Sequence, residues 1–213
     1  MKRSQQLLLP ALLLLPVIGS YAGGWAVVTV DDLPDYIVAG TPVTLSWRVR
    51  QHGFEAHPGL SGNIVARMPG QAETEVAATP GRERGQYTAT FTLPAAGEWS
   101  IVINSGFGNS NTTLLPIQAV PAGSRTGPTL TDNERGRRLF TAKGCVTCHV
   151  AIAVGPNLAG RRYTTEYLSQ WLANPTRPGA PSNTPKMPNL QLAPREIAAL
   201  VAFINSGDAA GSR

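Results

Sequence analysis

The chain has 213 residues, 42% of them hydrophobic, enough for one large core or two small ones, and a formal net charge of +5. Its two cysteines leave a four-thiolate zinc or iron–sulfur site without ligands. The basic residues are not interleaved with a nucleic-acid recognition motif, so no nucleic-acid partner is expected.

The chain opens Met1-Lys2-Arg3, then runs through an apolar stretch, Leu7 to Ile18, that ends near Ser20-Tyr21-Ala22. A basic start, a short apolar core and a small-residue end read as a secretory signal over 1–22, cut after Ala22. The stretch holds Pro10 and Pro16 and is shorter than the roughly 20 residues of a spanning helix, although an uncleaved anchor is the alternative. No cysteine follows it directly that could be lipidated, and no later segment reads as a membrane span. The expected location is periplasmic or otherwise extracytoplasmic, and membrane-associated if the leader stays as an anchor.

From 23 to 120 the pattern has period two. Val43, Leu45, Trp47 and Val49 alternate with polar residues, as do Tyr87, Ala89, Phe91 and Leu93, and then Trp99, Ile101 and Ile103. Such alternation puts one face in a core and the other in water. Turn-rich stretches such as Ala39-Gly40-Thr41-Pro42 and Pro80-Gly81 punctuate the runs. Strands are expected at about 25–30, 36–38, 43–50, 63–68, 73–78, 86–93, 98–104 and 112–120, forming an antiparallel β-sandwich. Between two of them, Gln51 to Pro58 forms a loop carrying His52 and His57, with Glu55 between them. With Met68 they could bind copper or zinc, but two ligands on a loop are a weak signal and surface histidines are the plainer reading.

Residues 121–130 form a linker by composition. From 131 to 213 the period turns helical. Thr131 with Glu134 makes a capping box, and Gly136, Leu139 and Phe140 share one side of the helix that follows. A second helix is expected at Thr164–Ala173, with Tyr167, Leu168, Trp171 and Leu172 as its apolar stripe. A third is expected at Pro194–Ser206, bounded by Pro194 and Gly207. The two parts differ in charge: six Arg face eight Asp and Glu over 23–130, against ten Lys and Arg and five Asp and Glu over 131–213.

Both cysteines lie in Cys145-Val146-Thr147-Cys148-His149. Two thiols three positions apart can each form a thioether with a haem vinyl group, while the adjacent imidazole binds the iron, and C-x-x-C-H reads as a c-type haem attachment sequence. A structural disulfide or a thioredoxin-like pair is the alternative. The latter opens a helix within a βαβ unit, an order this chain does not follow.

Two resemblances follow. Gly85 to Phe91 followed by Gly97-Glu98-Trp99-Ser100-Ile101 resembles the last strands of immunoglobulin-like modules in exported bacterial proteins, the YtkA-like family in particular. Over about 129–207 the chain resembles class I (mitochondrial-type) cytochrome c. The features occur in order: Gly136 and Phe140, Cys145 to His149, Gly155-Pro156-Asn157-Leu158, Trp171-Leu172, Lys186-Met187-Pro188-Asn189, and Phe203.

These resemblances imply a multidomain chain, an immunoglobulin-like β-sandwich followed by an all-α cytochrome c fold. They imply one covalent haem c on Cys145 and Cys148, with His149 as axial ligand. Met187, the one thioether of the cytochrome half, would be the sixth ligand, and core filling beside a five-coordinate haem is its alternative role. The Pro156 carbonyl would orient His149, a plain turn proline being the alternative; Gly136 would let the first helix cross the last near Phe203; and Tyr163 and Trp171 would contact the propionates, with a plain core role as their alternative. Such a protein is an exported electron carrier cycling Fe(III)/Fe(II), not an enzyme in its own right, free or as a subunit of a respiratory or redox complex that a membrane can hold. The β-sandwich would be its docking module. Arg137, Arg138, Lys143, Arg161, Arg162 and Lys186 would meet an acidic redox partner, although a generally basic surface offset by haem propionates explains the same charge. A copper-handling protein using His52 and His57 and a five-coordinate haem sensor are the other readings.

Overall fold

The structure, a computed structural model, describes residues 24–176 and 187–209. The leader at 1–22 lies outside the described residues, as does Lys186.

Among the described residues, eleven strands form the N-terminal part. β1 (Ala26–Val30), β3 (Val43–Gln51), β8 (Gln86–Phe91) and β7 (Thr79–Pro80) make one sheet in that order, with β4 (Glu55–Ala56) paired to β3. The second sheet runs β2 (Ile37–Val38), β11 (Ile117–Val120), β9 (Gly97–Asn104), β5 (Asn63–Arg67) and β6 (Thr74–Ala77), with β10 (Asn111–Thr113) also on β9. The alternating residues meet as expected: Leu45, Trp47, Val49, Tyr87, Phe91, Trp99, Ile101 and Ile103 fall in one buried core. This is an antiparallel β-sandwich with one departure, the short parallel pairing of β2 with β11.

The strand expected over 112–120 is two strands, β10 and β11, both paired with β9. Pro116 lies between them, and proline has no N–H to donate to a ladder. β4 and β7, two residues each, fall in stretches with no alternation of their own.

The helical part comprises α1 (Asp132–Ala142), a π-helical turn over Thr147–Ala151, α2 (Thr165–Ala173) and α3 (Pro194–Ser206). The expected capping box closes α1: Glu134 N donates to Thr131 Oγ1 at 3.2 Å and Thr131 N to Glu134 Oε2 at 2.8 Å. α3 ends on Gly207 in the left-handed conformation. A Cβ on Gly136 would overlap the Ala199 carbonyl and lie 2.7 Å from Phe203 Cβ, so α1 and α3 cross in backbone contact. Phe140 and Phe203 meet beside the crossing, their ring centroids 5.4 Å apart.

The two parts are docked against each other. β1 is an edge strand buried on both faces. Ala26, Val28 and Val30 point into the sandwich core. Val27 and Thr29, on the other face, are covered by the end of α1. Gly144 (φ +77°) sits where a Cβ would strike Val27 and come within 2.8 Å of the Val28 carbonyl. Ala142 is fully buried and belongs to the sandwich core. Leu33 packs against both cores.

Polar contacts line the same seam. Asp35 accepts from Arg135 Nε (3.1 Å) and Nη2 (2.8 Å) on α1 and from Arg195 Nη2 (2.9 Å) on α3, while its own carbonyl accepts from Arg138 Nη1 (3.0 Å). The arginines hold the Asp35 carboxyl below its ordinary 3.8, the hydrogen bond from Arg135 contributing most. A depressed carboxylate stabilises the contact above its unfolded pKa, and that contribution is lost as the pH falls through the folded value.

Two outcomes follow from this packing. Gly136→Val is expected to destabilise the helical part by about 3 kcal/mol, because backbone contact leaves no room for repacking; urea unfolding monitored by helical circular dichroism measures it. Acidification from pH 5 to 3 is expected to loosen the seam in the wild type, and Asp35→Asn is expected to be loose already at pH 5. Amide exchange across β1 reads both.

Candidate functional site

The segment Cys145–His149 follows directly from the docked end of α1. Cys145 is buried, Cys148 is half-buried, and both are free thiols. Burial pushes the Cys145 thiol up to about 12, with the neighbouring Cys148 adding to the shift, and burial also raises Cys148.

The Cys148–Pro156 segment folds around His149. Gly155 N donates to the Cys148 carbonyl at 2.9 Å, closing the loop. His149 Nδ1 lies 2.8 Å from the Pro156 carbonyl. A carbonyl only accepts, so Nδ1 carries the proton and Nε2 keeps its lone pair for a metal. A Cβ on Gly155 would come within 2.8 Å of Nδ1 and 2.9 Å of Cε1, so the loop must pass the ring as glycine.

Around this segment lies an apolar cluster. Leu139, Phe140, Cys145, Leu158, Leu168, Leu172, Leu200 and Phe203 are buried in it, and Val146, Val150, Tyr163, Met187, Leu192 and Ile197 pack against it half-buried. Met187 therefore joins the same cluster as Cys145. Tyr163 stacks on Tyr167 with centroids 5.8 Å apart, and Tyr167 meets Trp171 edge-on at 6.3 Å. Tyr163 N donates to Asn205 Oδ1 at 2.9 Å, tying the start of α2 to the end of α3. Asn157 Oδ1 accepts from Ala159 N, and Leu158 is buried beneath it.

The donor set suits a c-type haem. It offers a thiol pair for covalent attachment, an imidazole in the metal-binding tautomer, a thioether in the same apolar cluster and little competing polarity. Among the described residues, no three His, Cys, Asp or Glu side chains gather to hold a separate metal ion.

His52 and His57 are engaged separately. His52 lies edge-on to Trp25 at 5.4 Å, and His57 edge-on to Phe107 at 4.9 Å. Met68 Sδ lies against Gly97 at the start of β9, whereas Phe107 follows the other end of that strand. The eight residues of β9 put its two ends seven steps, about 23 Å at roughly 3.3 Å per step, apart. Met68 is therefore no partner for His57, correcting the expected proximity.

The expected basic docking set is also corrected. Lys143 is 3% exposed: its Nζ pairs with Glu196 Oε1 at 2.7 Å and donates to the Asp31 carbonyl at 2.6 Å. Arg138 is turned to Asp35. Arg137, Arg161 and Arg162 are exposed. The seam residues Thr29, Asp31, Asp35 and Glu196 and the role of Gly155 carried no motif. A signal for the seam does exist in Ala26-Val27-Val28-Thr29-Val30, whose near-unbroken apolar run marks a strand covered on both faces.

Residues 131–204 match the family model described as cytochrome c oxidase, cbb3-type, subunit III. The C-terminal helical region thus carries a cytochrome c domain, the mark of an electron-transfer haem protein. No curated protein matches the chain significantly. Among solved structures, the Lin-41 filamin domain is similar at 14% identity and a TM-score of 0.36, over 46% of this chain and 93% of its own. A Bacteroides vulgatus protein assigned as a glycoside hydrolase is similar at 14% identity and a TM-score of 0.32, over 65% of this chain and 26% of its own. Neither likeness bears on activity. No helix among the described residues is long and apolar enough to cross a membrane.

In the haem-free chain, alkylation by iodoacetamide at pH 8 is expected to modify Cys148 well before Cys145, since only the thiolate reacts and the half-buried sulfur is the more accessible. Peptide mass spectrometry after timed quenching ranks the two.

Proposed function

We propose that the chain is an exported electron carrier in which Cys145 and Cys148 would hold one haem c and His149 and Met187 would be its iron ligands, in the manner of a class I cytochrome c. When bound, the haem supplies a one-electron Fe(III)/Fe(II) couple. The observation that carries the reading is the 2.8 Å contact from His149 Nδ1 to the Pro156 carbonyl, which orients the ring and leaves Nε2 as the ligand nitrogen.

The other residues serve that couple. Gly155 lets the loop close on the imidazole. Met187 offers a soft sulfur that favours the reduced metal and raises the potential above that of a bis-imidazole site. The apolar cluster excludes water, and Tyr163 and Trp171 flank it as candidate propionate donors. The exposed Arg137, Arg161 and Arg162 supply a basic surface for an acidic redox partner. The matched model describes subunit III of a cbb3-type cytochrome c oxidase, and by analogy this chain would serve a respiratory complex, delivered outside the cytoplasm by its leader. The sandwich would be a YtkA-like module that gives the cytochrome domain a fixed seat.

Absorption spectra of protein made with haem-attachment machinery test this. The expected result is a low-spin haem with the weak far-red band of thioether–ferric ligation, which Met187→Ala abolishes together with a fall in potential. A high-spin haem that takes up carbon monoxide without denaturation would instead establish the five-coordinate sensor.

A further inference from the structure

The segment that begins haem attachment has one side built by the other domain. Ala142, Lys143 and Cys145 are 0%, 3% and 8% exposed. Strand β1 and the residues after it cover residues 142–144, whereas Cys145 is buried in the helical cluster: Val27 lies under Gly144, Thr29 Oγ1 donates to the Lys143 carbonyl at 3.4 Å, and the Asp31 carbonyl takes the Lys143 ammonium. Asp31 is itself fixed within the sandwich by Arg48 Nε (2.9 Å) and Gln86 Nε2 (2.7 Å). Four residues on, Asp35 grips α1 through Arg135 and α3 through Arg195. One short stretch of the sandwich therefore holds both crossing helices and covers the residues that lead into the attachment sequence.

We propose that Asp35 is a positioning residue of the haem centre: by clamping Arg135 and Arg195 it keeps β1 seated on residues 142–144, shielding the attachment segment from water and holding the haem potential up. The inference rests on the electron-carrier reading. Its physical basis is that solvent around a haem favours the more charged oxidised state, so exposure lowers the potential. The clamp is partly buried, with side-chain exposures of 12% for Arg135 and 24% for Asp35, and its bidentate geometry orients as well as attracts.

The sign of the shifts separates positioning from plain electrostatics. Asp35→Ala removes a negative charge and by charge alone would raise the potential. Arg135→Gln removes a positive charge and would lower it. If seating is what matters, both variants of the full haem-loaded chain lower the potential and speed amide exchange at residues 142–144. The double variant then falls no further than the lower single one, because both break the same contact, and Asp35→Glu restores the wild-type value. Shifts of opposite sign overturn the proposal, as do unchanged potentials with faster exchange, or exchange that stays slow in both variants. A wild-type chain without covalent, low-spin haem overturns the carrier reading and this one with it. A normal low-spin wild type with any of the contrary variant results overturns this one alone.

Discussion

The backbone contact between α1 and α3 at Gly136 is the constraint on which the helical part depends. A glycine at the crossing brings the helices closer than any side chain permits, and Phe140 and Phe203 close over the junction. The approach fixes where α1 ends, and so where Cys145 begins. It also fixes the first turn of α3, where Glu196 accepts from Ala193 N through one oxygen and pairs with Lys143 through the other. Sequence neighbours of the attachment site are in this way tied to residues more than fifty positions away. The cost of desolvating Lys143 is offset by two close oxygen partners, as a buried cation requires.

The second organising feature is that the sandwich and the cytochrome domain complement each other in charge. The β half carries a small acidic excess and the helical half a basic one. At the seam this becomes specific contacts, Asp35 with two arginines and the Asp31 carbonyl with the lysine. Part of the basic surface that would draw an acidic partner is taken up within the chain. The ten-residue linker, which by composition allows many arrangements, spans two bodies whose relative placement is set by side chains elsewhere.

Much of this was legible in the residues. Period-two alternation located the long strands because each has one wet face, and caps at Thr131 and Gly207 located the start of α1 and the end of α3 because terminal N–H and C=O groups need partners. The Cys145–His149 motif stood out because both cysteines of the chain fall in it. What escaped was set by distant partners. The splitting of β10 from β11 depends on how both lie along β9, although Pro116 marked the place. The fate of Lys143 is invisible in a charge count, which cannot distinguish a lysine in water from one pinned between Glu196 and a carbonyl. His52 and His57 looked like a pair from their spacing, but each ring follows the aromatic residue that the fold sets beside it.

Strand β1 bears on how the chain comes together. Its outer face is covered partly by residues that follow more than a hundred positions later, as the contact from Thr29 to Lys143 spans 114 residues. Without that cover the sandwich carries an edge strand apolar on both sides, with one row of backbone groups unpaired, the kind of edge that recruits other strands. A sandwich severed at the linker would keep that edge bare permanently. By seating on the outer face of β1, the helical part thus covers a surface that would otherwise lie open to other strands.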